Sequence, residues 1–488
     1  MQKKPPYGII AILFTGAFVT IFTQTLLNVA LPAIMTDLRI EASTAQWLIT
    51  GYMLMNGILI PASAYFIQRY SNRSIFILAM SLFVLGTLVA GLAPTFGVLL
   101  AARMIQASGA ALMMPLLMNV ILVAFPVERR GTAMGLFGLV MIVAPAIGPT
   151  LSGYIVEHYS WRVLFFIVLP ISLIPLALGI FKLKNLTNQN RELTLDKTSL
   201  VFSSLGFGGI LYGFSAAGQN GWSDPYVLGT ITIGVVSLIT FIFRQFKLKE
   251  PLLEFRIYKY PMFALSSMIS IVVSISMFSA MILMPIYVQT IKGISPVDSG
   301  LLMLPGALVM GIMSPVTGKL FDKYGAKILA ITGMSIVVIS TYFFSDLSMD
   351  TTYLHIMFLY TIRMLGISMV MMPVMTNGLN TLPLKAYPHG TAMNNTLQQV
   401  SGAIGSALLI TVMNTRSTSA AKDFASSGAD PASIMKNSMM EGINYTFFIS
   451  TFIAAVALLL TFFINKPQRE TTEKVKDRVY KQEPVNES

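Results

Sequence analysis

Residues 113–134 of the chain read MMPLLMNVILVAFPVERRGTAM, and residues 371–393 read MMPVMTNGLNTLPLKAYPHGTAM. Both stretches begin with Met-Met-Pro, carry an Asn four residues after the Pro and end with Gly-Thr-Ala-Met. Nearer the N-terminus, residues 68–70 (QRY) align with residues 322–324 (DKY), so the three matches have separations of 254 to 259 residues. Matches in the same order at nearly constant separation indicate two copies of one structural unit.

The composition of the chain is that of a protein that uses lipid as its solvent. Of its 488 residues, 55% are hydrophobic and 11% are charged, and the mean hydropathy is +0.71. A soluble domain carries about 25% charged residues, so these values exclude both a set of soluble domains and a disordered chain. The chain has no Cys and only three His, far apart in sequence. We therefore expect no disulfide, no metal site and no cofactor.

Fourteen apolar stretches are long enough to cross a membrane as helices, which takes roughly 20 residues each. The predicted spans cover residues 8–31, 46–67, 74–93, 97–121, 132–156, 163–182, 199–217, 226–244, 262–290, 299–318, 327–345, 354–382, 390–414 and 443–464. The first stretch exceeds the apolar region of a secretion signal, which has about 7–15 residues, so we expect it to remain as a span. The chain is thus predicted to be an all-α polytopic membrane protein with 14 transmembrane helices.

The distribution of basic residues predicts the orientation of these spans. With an even number of spans, both termini lie on one side, and 25 of the 33 Lys and Arg residues lie there too. Six lie on the other side, whose longest loop covers residues 415–442, and Arg103 and Arg363 fall within spans. Because basic loops remain in the cytoplasm, we expect both termini to be cytoplasmic. The same rule explains the net charge of +12 without nucleic acid as a partner.

The repeat divides the chain into two halves. The matched segments share one orientation, because an even number of spans separates them, and such parallel repeats occur in transporters with two pseudo-symmetric halves. We predict an N-terminal six-helix bundle over residues 1–198 and a C-terminal six-helix bundle over residues 261–465. Residues 199–260 would hold two inserted transmembrane helices and a cytoplasmic linker. Residues 466–488 would form a polar cytoplasmic tail.

Four further segments resemble a known family. The loop after span ten reads GKLFDKYG (318–325), span four contains LLAARMIQASG (99–109), span five contains GLVMIVAPAIGPTLSG (138–153) and span one contains TLLNVALP (25–32). With these segments the chain, up to residue 465, resembles the major facilitator superfamily. Within that superfamily it is similar to the fourteen-span drug:proton antiporters of the EmrB/QacA type.

The resemblance implies a secondary active multidrug exporter in the plasma membrane of a bacterium. Such a protein moves lipophilic and amphiphilic compounds, including antibiotics and biocides, out of the cell by alternating access and proton antiport. Its partners would be these compounds, protons and the bilayer, and we expect a monomer. We expect no enzyme, because the sequence has no nucleophile–base pair and no phosphate-binding loop. The alternative is a proton-independent facilitator or an uptake symporter on the same fold.

The resemblance also assigns roles to individual residues. It links Arg103 in span four to proton coupling and Asp322 in the loop after span ten to gating. The alternatives are an arginine that binds backbone carbonyls and a plain basic turn. In span five, small residues permit close contact between helices and prolines bend the helix. The antiporter motif there comprises Gly138, Pro145, Gly148, Pro149 and Gly153.

Departures from the family pattern affect the acidic residues. The first-half loop has Gln68 where the family has Asp, and span one has Thr23 where the family commonly has Asp. No Asp or Glu lies in the middle of any span. The remaining candidates for proton coupling are Asp298 before span ten and Glu157 after span five, because burial would raise the pKa of an acid toward the working pH. As an alternative, Asp298 is a helix N-cap or a first-turn residue.

Neutral amides and one arginine are the candidates for the substrate cavity. A buried amide without a partner is costly, so these residues indicate either a wet cavity or hydrogen bonds between helices. The candidates are Gln24, Asn28, Asn56, Gln106, Asn119, Arg363, Asn377, Asn394, Asn395 and Gln398. The 32 Met residues fit an adaptable apolar pocket. With two embedded arginines and no embedded acid, we expect a preference for neutral, zwitterionic or anionic amphiphiles over multivalent cations.

Overall fold

The computed structural model of the protein describes residues 7–40, 42–186, 189–190, 192–426 and 430–465. Within these ranges it describes the side chains except at residues 28, 29, 32, 42, 43, 46, 142, 145, 146, 149, 150, 215, 218–220, 296, 431 and 432. The predicted tail, residues 466–488, and the side chains of Asn28, Pro145 and Pro149 therefore lie outside the description.

Long α-helices make up most of the described part of the chain. The helices are α1 (Tyr7–Leu38), α2 (Ala42–Arg69), α3 (Asn72–Gly91), α4 (Phe96–Ala124), α5 (Arg130–His158), α6 (Arg162–Lys182), α7 (Lys197–Asn220), α8 (Pro225–Lys247), α9 (Pro261–Ile286), α10 (Pro296–Tyr324), α11 (Ala326–Phe343), α12 (Tyr353–Leu379), α13 (Tyr387–Ser426) and α14 (Pro431–Thr461). Each predicted span overlaps one of them. Among the described residues, 12 of these helices are long and apolar enough to cross a membrane. The two helices not included in this count are α5 and α7, which contain side chains outside the description.

Helices α13 and α14 extend furthest beyond their predicted spans. Helix α13 continues to Ser426, and α14 begins at Pro431, so the prediction of a loop over residues 415–442 is wrong. Residues 415–426 contain no Gly or Pro and several Ala, and this composition favours a continuous helix in spite of its polarity. A salt bridge between Arg416 of α13 and Glu441 of α14 joins the two extensions.

The two halves repeat the same close contact between neighbouring helices. In the first half, a Cβ added to Gly109 of α4 would lie 2.2 Å from the carbonyl oxygen of Ala79 of α3. In the second half, a Cβ added to Gly333 of α11 would lie 2.6 Å from the carbonyl oxygen of Gly366 of α12. Ala79 and Gly333 are 254 residues apart, which is the separation of the matched loops. The same pair of helices thus packs closely in both halves.

Helices α7 and α8 form a hairpin that joins the two halves in sequence. They pack closely, because a Cβ added to Gly234 of α8 would lie 2.7 Å from the backbone nitrogen of Ile210 of α7. Before α7, the Asp196 carboxylate accepts two hydrogen bonds from Arg244 of α8, at 2.8 and 3.0 Å. The Arg244 guanidinium lowers the pKa of Asp196 to about 2. Helix α7 packs against α2 of the first half and α13 of the second, so the hairpin contacts both.

Candidate functional site

A cavity of about 560 Å³, including space open to solvent, lies between the two halves. Helices α4 and α5 line it from the first half, and α9, α10, α12 and α13 line it from the second. Most of its wall consists of thioether side chains, from Met118, Met141, Met277, Met310, Met371, Met372 and Met375. Met is flexible and polarizable, so this wall can adapt to apolar molecules of different shapes.

Few polar side chains line the cavity within the described part of the chain. They are Ser314, Ser368, Asn395 and Gln398. The Ser368 hydroxyl donates to a backbone carbonyl of its own helix at 2.7 Å. The Asn395 amide donates to the Thr391 carbonyl oxygen at 2.8 Å and to the Met118 sulfur, in the other half, at 3.1 Å. No hydrogen bond engages the Gln398 amide among the described residues, so this amide is available to a ligand.

At one end of the cavity, α5 and α10 are in backbone contact. A Cβ added to Gly135 would lie 2.5 Å from the Ser314 carbonyl oxygen, and one added to Gly318 would lie 2.2 Å from the Gly131 carbonyl oxygen. A Cβ added to Gly138 would lie 2.0 Å from the Ser314 hydroxyl oxygen. Glycine is therefore required for this spacing, which we call the α5–α10 interface. Gly138 and Ser314 also line the cavity, so the interface forms one end of the cavity.

The half-buried carboxylate of Asp322 joins the halves beyond this interface. Its Oδ1 atom accepts a hydrogen bond from the backbone N–H of Gly131 at 2.8 Å. Its Oδ2 atom accepts hydrogen bonds from the backbone N–H and the hydroxyl of Thr132, at 2.8 and 2.7 Å. The first N–H groups of a helix have no partner within it, and the helix dipole there favours a negative charge. Asp322, near the end of α10, thus binds the N-terminus of α5; we call this region the Asp322 end of the bundle.

Two more contacts join the halves at the Asp322 end. The Arg130 guanidinium donates hydrogen bonds to the Asn380 side-chain oxygen at 2.9 Å and to the Tyr387 hydroxyl at 2.7 Å. It also lies 5.0 Å from the centroid of the Tyr387 ring, a cation–π distance. The side-chain nitrogen of Gln68 lies 3.0 Å from Nε2 of His389. These contacts connect α5 and α2 of the first half to α12 and α13 of the second.

Arg103 is buried within the first half and does not line the cavity; 1% of its surface is exposed. Its guanidinium donates to the Gln106 side-chain oxygen, and the Gln106 amide donates to the Thr87 hydroxyl at 2.7 Å. The guanidinium lies 4.2 Å from the centroid of the Tyr52 ring. No carboxylate of the described residues forms an ion pair with Arg103, so neutral groups surround this buried charge.

Arg363 occupies a similar environment in the second half, with none of its surface exposed. Its guanidinium donates to the Thr341 hydroxyl at 3.1 Å, to the Ser276 carbonyl oxygen, and to the hydroxyls of Ser276 and Ser279 at 3.2 and 3.3 Å. Thr341 lies 254 residues after Thr87, which belongs to the cluster of the other buried arginine. Each half therefore holds one buried arginine in hydrogen-bond networks that include corresponding threonines.

The two predicted acids of proton coupling are exposed at the opposite end of the bundle. The Asp298 carboxylate accepts a hydrogen bond from the Ser295 hydroxyl at 2.7 Å, and its backbone N–H donates to the same hydroxyl at 3.1 Å. Ser295 is the N-cap of α10 and Asp298 lies in its first turn, which fits the alternative of a first-turn residue for Asp298. Glu157 lies in the last turn of α5. Neither side chain lines the cavity.

The predicted cavity residues occupy several places in the bundle. Asn395 and Gln398 line the cavity, and Asn394 donates a hydrogen bond to the sulfur of Met375, a lining residue, at 2.7 Å. The Asn377 amide donates to the Asn465 carbonyl oxygen at 3.4 Å. The candidates with described side chains that do not line the cavity are Gln24, Asn56, Gln106, Asn119, Arg363, Asn377 and Asn394. Most of these polar residues thus lie away from the cavity.

The remaining part of the span-five motif packs α5 against α1. A Cβ added to Gly148 would lie 2.2 Å from the Thr25 hydroxyl oxygen. The Ser152 hydroxyl donates to the Leu26 carbonyl oxygen at 2.6 Å, and Gly153 is half-buried. The resemblance segments of spans one and five therefore touch each other.

Sequence reasoning did not single out the side chains of Arg130 and His389. Each stands directly before one copy of Gly-Thr-Ala-Met, and the two are 259 residues apart. The repeat therefore contained a signal for both. In the aligned loops, Gln68 corresponds to Asp322. Asp322 contacts the first Gly-Thr-Ala-Met segment, and Gln68 contacts His389, directly before the second.

Comparison with known proteins gives a consistent result. The family profile described as Major Facilitator Superfamily matches residues 13–406. The uncharacterized MFS-type transporter YcnB of Bacillus subtilis is 47% identical, over 94% of this chain and 95% of its own. The lincomycin resistance protein LmrB of the same species is 43% identical, over 95% and 97%. Its multidrug transporter protein MdtP is 28% identical, over 86% and 78%.

One solved structure illustrates the similarity in fold. The crystal structure of the human organic anion transporter MFSD10 matches with a TM-score of 0.66. The match covers 94% of this chain and 100% of the other, at 11% sequence identity. This likeness concerns the fold alone.

Proposed function

The chain belongs to the major facilitator superfamily, and on that premise we propose that it is a secondary active multidrug exporter. It is a multi-pass transporter of a bacterial membrane. In the proposal it is one of the fourteen-helix drug:proton antiporters and exchanges protons for lipophilic or amphiphilic compounds. It functions as a monomer with two six-helix halves, residues 1–198 and 261–465, and the inserted α7–α8 hairpin.

The observation that carries the proposal is the methionine-lined cavity with one closed end. The α5–α10 interface and Asp322 close the cavity at the end where basic loops are concentrated. By the positive-inside rule that end faces the cytoplasm. The cavity in this state is then closed to the cytoplasm, as alternating access requires after a substrate has been taken up from inside. The names of the relatives LmrB and MdtP, a lincomycin resistance protein and a multidrug transporter, support drugs as the cargo.

The contacts at the Asp322 end indicate how the cavity would open to the cytoplasm. Asp322 must leave the N-terminus of α5, and the glycines of the α5–α10 interface must separate from α10. Protonation of the carboxylate would weaken its hydrogen bonds, because a neutral acid is a poorer acceptor than an ion. Asp298 and Glu157 are exposed at the opposite end, where they can exchange protons with the outer solution. Arg103 is the proposed buried charge that responds to such exchange.

A second candidate is a facilitator without proton coupling, and one observation favours it. Thr23 stands where the family commonly has an aspartate, and its side chain is buried with 2% exposure. Its hydroxyl donates to the Val19 carbonyl oxygen at 2.8 Å, which engages its only proton. Span one therefore offers no ionisable group at this position.

Purified protein in liposomes with an imposed pH gradient separates the two candidates. Internal pH and drug uptake are recorded together after addition of lincomycin or of lipophilic drugs. If the protein is an antiporter, drugs should evoke proton movement in the wild type and in the control Asp350→Asn, which changes an exposed acid. This proton movement should be lost in Asp322→Asn. Drug flux without proton movement would identify a facilitator. Absence of flux for every compound would contradict the exporter.

A further inference from the structure

The described residues that line the cavity include no charged side chain. They are apolar except for two Ser, one Asn and one Gln. The helix positions whose side chains lie outside the description add no charge, because none of them is an ionisable residue. Among the described residues of the wall, a ligand therefore meets neither a carboxylate nor a basic group.

The two buried arginines do not supply a charge to a ligand either. Arg103 and Arg363 are 1% and 0% exposed, and neither lines the cavity. Their guanidinium groups donate instead to Gln106 and to Ser276 and Thr341. A cation in the cavity would lose its hydration without gaining a counterion from the described lining residues, and an anion would find no guanidinium among them. Transfer of an unpaired charge into such surroundings is costly, so the cavity favours uncharged molecules.

Unlike the other side-chain amides near the cavity, the amide of Gln398 forms no hydrogen bond with the described residues. Asn394 donates to the Met375 sulfur, and Asn395 donates to Thr391 and Met118. Gln398 is half-buried and lines the cavity, and it forms no hydrogen bond with the described residues. A glutamine amide offers both a donor and an acceptor, so it can bind a hydroxyl, a carbonyl or an amide group of a ligand.

We propose that the cavity takes uncharged lipophilic molecules that carry a hydrogen-bonding group, and that Gln398 selects them. The methionine wall contacts the apolar body of the molecule, and the Gln398 amide binds its polar group. This assignment rests on the proposed function, because it names the substrate class of the same cavity.

Four probes of similar shape test the charge preference and the hydrogen bond separately. Triphenylmethanol is neutral with a hydroxyl, triphenylmethane is neutral without one, tetraphenylphosphonium is a cation and tetraphenylborate is an anion. Competition against radiolabelled triphenylmethanol on purified full-length protein gives their relative affinities without any gradient. We expect both ions to bind at least about tenfold more weakly than triphenylmethanol. Triphenylmethane should bind about 3- to 10-fold more weakly, because it lacks one buried hydrogen bond.

Gln398→Leu, with Gln399→Leu as its matched control, tests the role of the amide. Gln399 is the adjacent half-buried glutamine, and it does not line the cavity. Direct binding of each labelled neutral probe is compared in both variants. Gln398→Leu should weaken triphenylmethanol about 3- to 10-fold and leave triphenylmethane unchanged, whereas Gln399→Leu should change neither. Equal weakening of both neutral probes by Gln398→Leu would overturn the assignment of Gln398.

The order of the probes on the wild-type protein stands even if a variant fails to fold. Tetraphenylphosphonium or tetraphenylborate binding as tightly as triphenylmethanol would overturn the preference for uncharged molecules. The binding assay also separates this inference from the proposed function. If the probes bind in the expected order of affinity but no drug is transported in liposomes, only the proposed exporter function is refuted. If drugs are transported but the order of probe affinities is reversed, only the proposed substrate class is refuted.

Discussion

Replacement of Asp322 by Asn should open the Asp322 end of the bundle. The wild-type carboxylate accepts three hydrogen bonds, from Gly131 and Thr132, at 2.7 to 2.8 Å. An Asn keeps one acceptor oxygen and turns an amino group toward a donor, so at least one bond to a charged acceptor is lost. Such bonds contribute about 1.5–3 kcal/mol each. With the repulsion between donors added, we expect the closed state to lose about 2–4 kcal/mol, a shift of roughly 30- to 1,000-fold in the equilibrium.

Distance measurement between two spin labels detects this shift directly. The chain has no Cys, so Val127→Cys and Leu384→Cys provide the only two labelling sites. Both positions are exposed, by 41% and 63%, and they flank the Asp322 end in the first and second halves. Pulsed electron resonance should report one short distance in the labelled wild type and a longer, dominant distance after Asp322→Asn.

The matched control is Asp350→Asn, which removes an equal charge from an exposed position at the other end. It should leave the short distance unchanged. An unchanged distance distribution in Asp322→Asn would refute the reasoning, because the carboxylate would then contribute nothing to closure.

Three other substitutions test the packing and the charges. Gly135→Ala places a Cβ 2.5 Å from a backbone oxygen of α10 and should destabilise the closed state by about 1–3 kcal/mol. The same pair of spin labels measures this effect. In the control Gly97→Ala, the added Cβ meets nothing within 4 Å, so we expect no change. Arg363→Lys should lower the melting temperature at least as much as Arg363→Met, because Lys keeps a buried charge but loses the planar donors; a clearly more stable Lys variant would contradict this. Arg244 holds the pKa of Asp196 at about 2, below the usual 3.8, so the ion pair stabilises the fold above pH 3.8 and this stabilisation is lost as the pH falls through about 2. Asp196→Asn should therefore lower the melting temperature near pH 6, and the difference from the wild type should become smaller between pH 4 and pH 2. A difference that stays constant over this range would show that the ion pair does not contribute.

The helices and the repeat could be predicted because each depends on local sequence. An apolar run of roughly 20 residues in lipid must satisfy its backbone internally, and a helix does so. The match between Gly131 and Gly390 indicated the two copies without any structure. The partner of Asp322 was not predicted, because a loop motif contains no information about which helix N-terminus lies opposite. Helix ends outside the apolar runs were also missed, as the continuation of α13 to Ser426 shows.

The cavity could not be predicted residue by residue because the helices are apolar on every side. In a membrane, lipid and the protein interior are similarly apolar, so hydrophobic periodicity does not tell which side of a helix faces which. Seven of the 32 Met residues line the cavity, and composition cannot distinguish them. The roles of polar residues could not be distinguished for the same reason. Gln106 binds Arg103 and Thr87, whereas Gln398 lines the cavity, yet in the sequence each is simply an amide side chain within an apolar span.

Helix α5 connects the cavity to the closed end through a single stretch of backbone. Gly131 binds Asp322, Gly138 lies both in the α5–α10 interface and in the cavity wall, and Gly148 packs against α1. A molecule that fills the cavity therefore presses on the same helical turn that must fit against α10. Because the Cβ space at Gly138 is already occupied by Ser314, that turn cannot move toward α10 and can yield only away from it. In the proposed cycle, closure of the Asp322 end therefore depends on how a bound molecule fits beside Gly138, and the hydrogen bonds of Asp322 contribute to the free energy of the closed state.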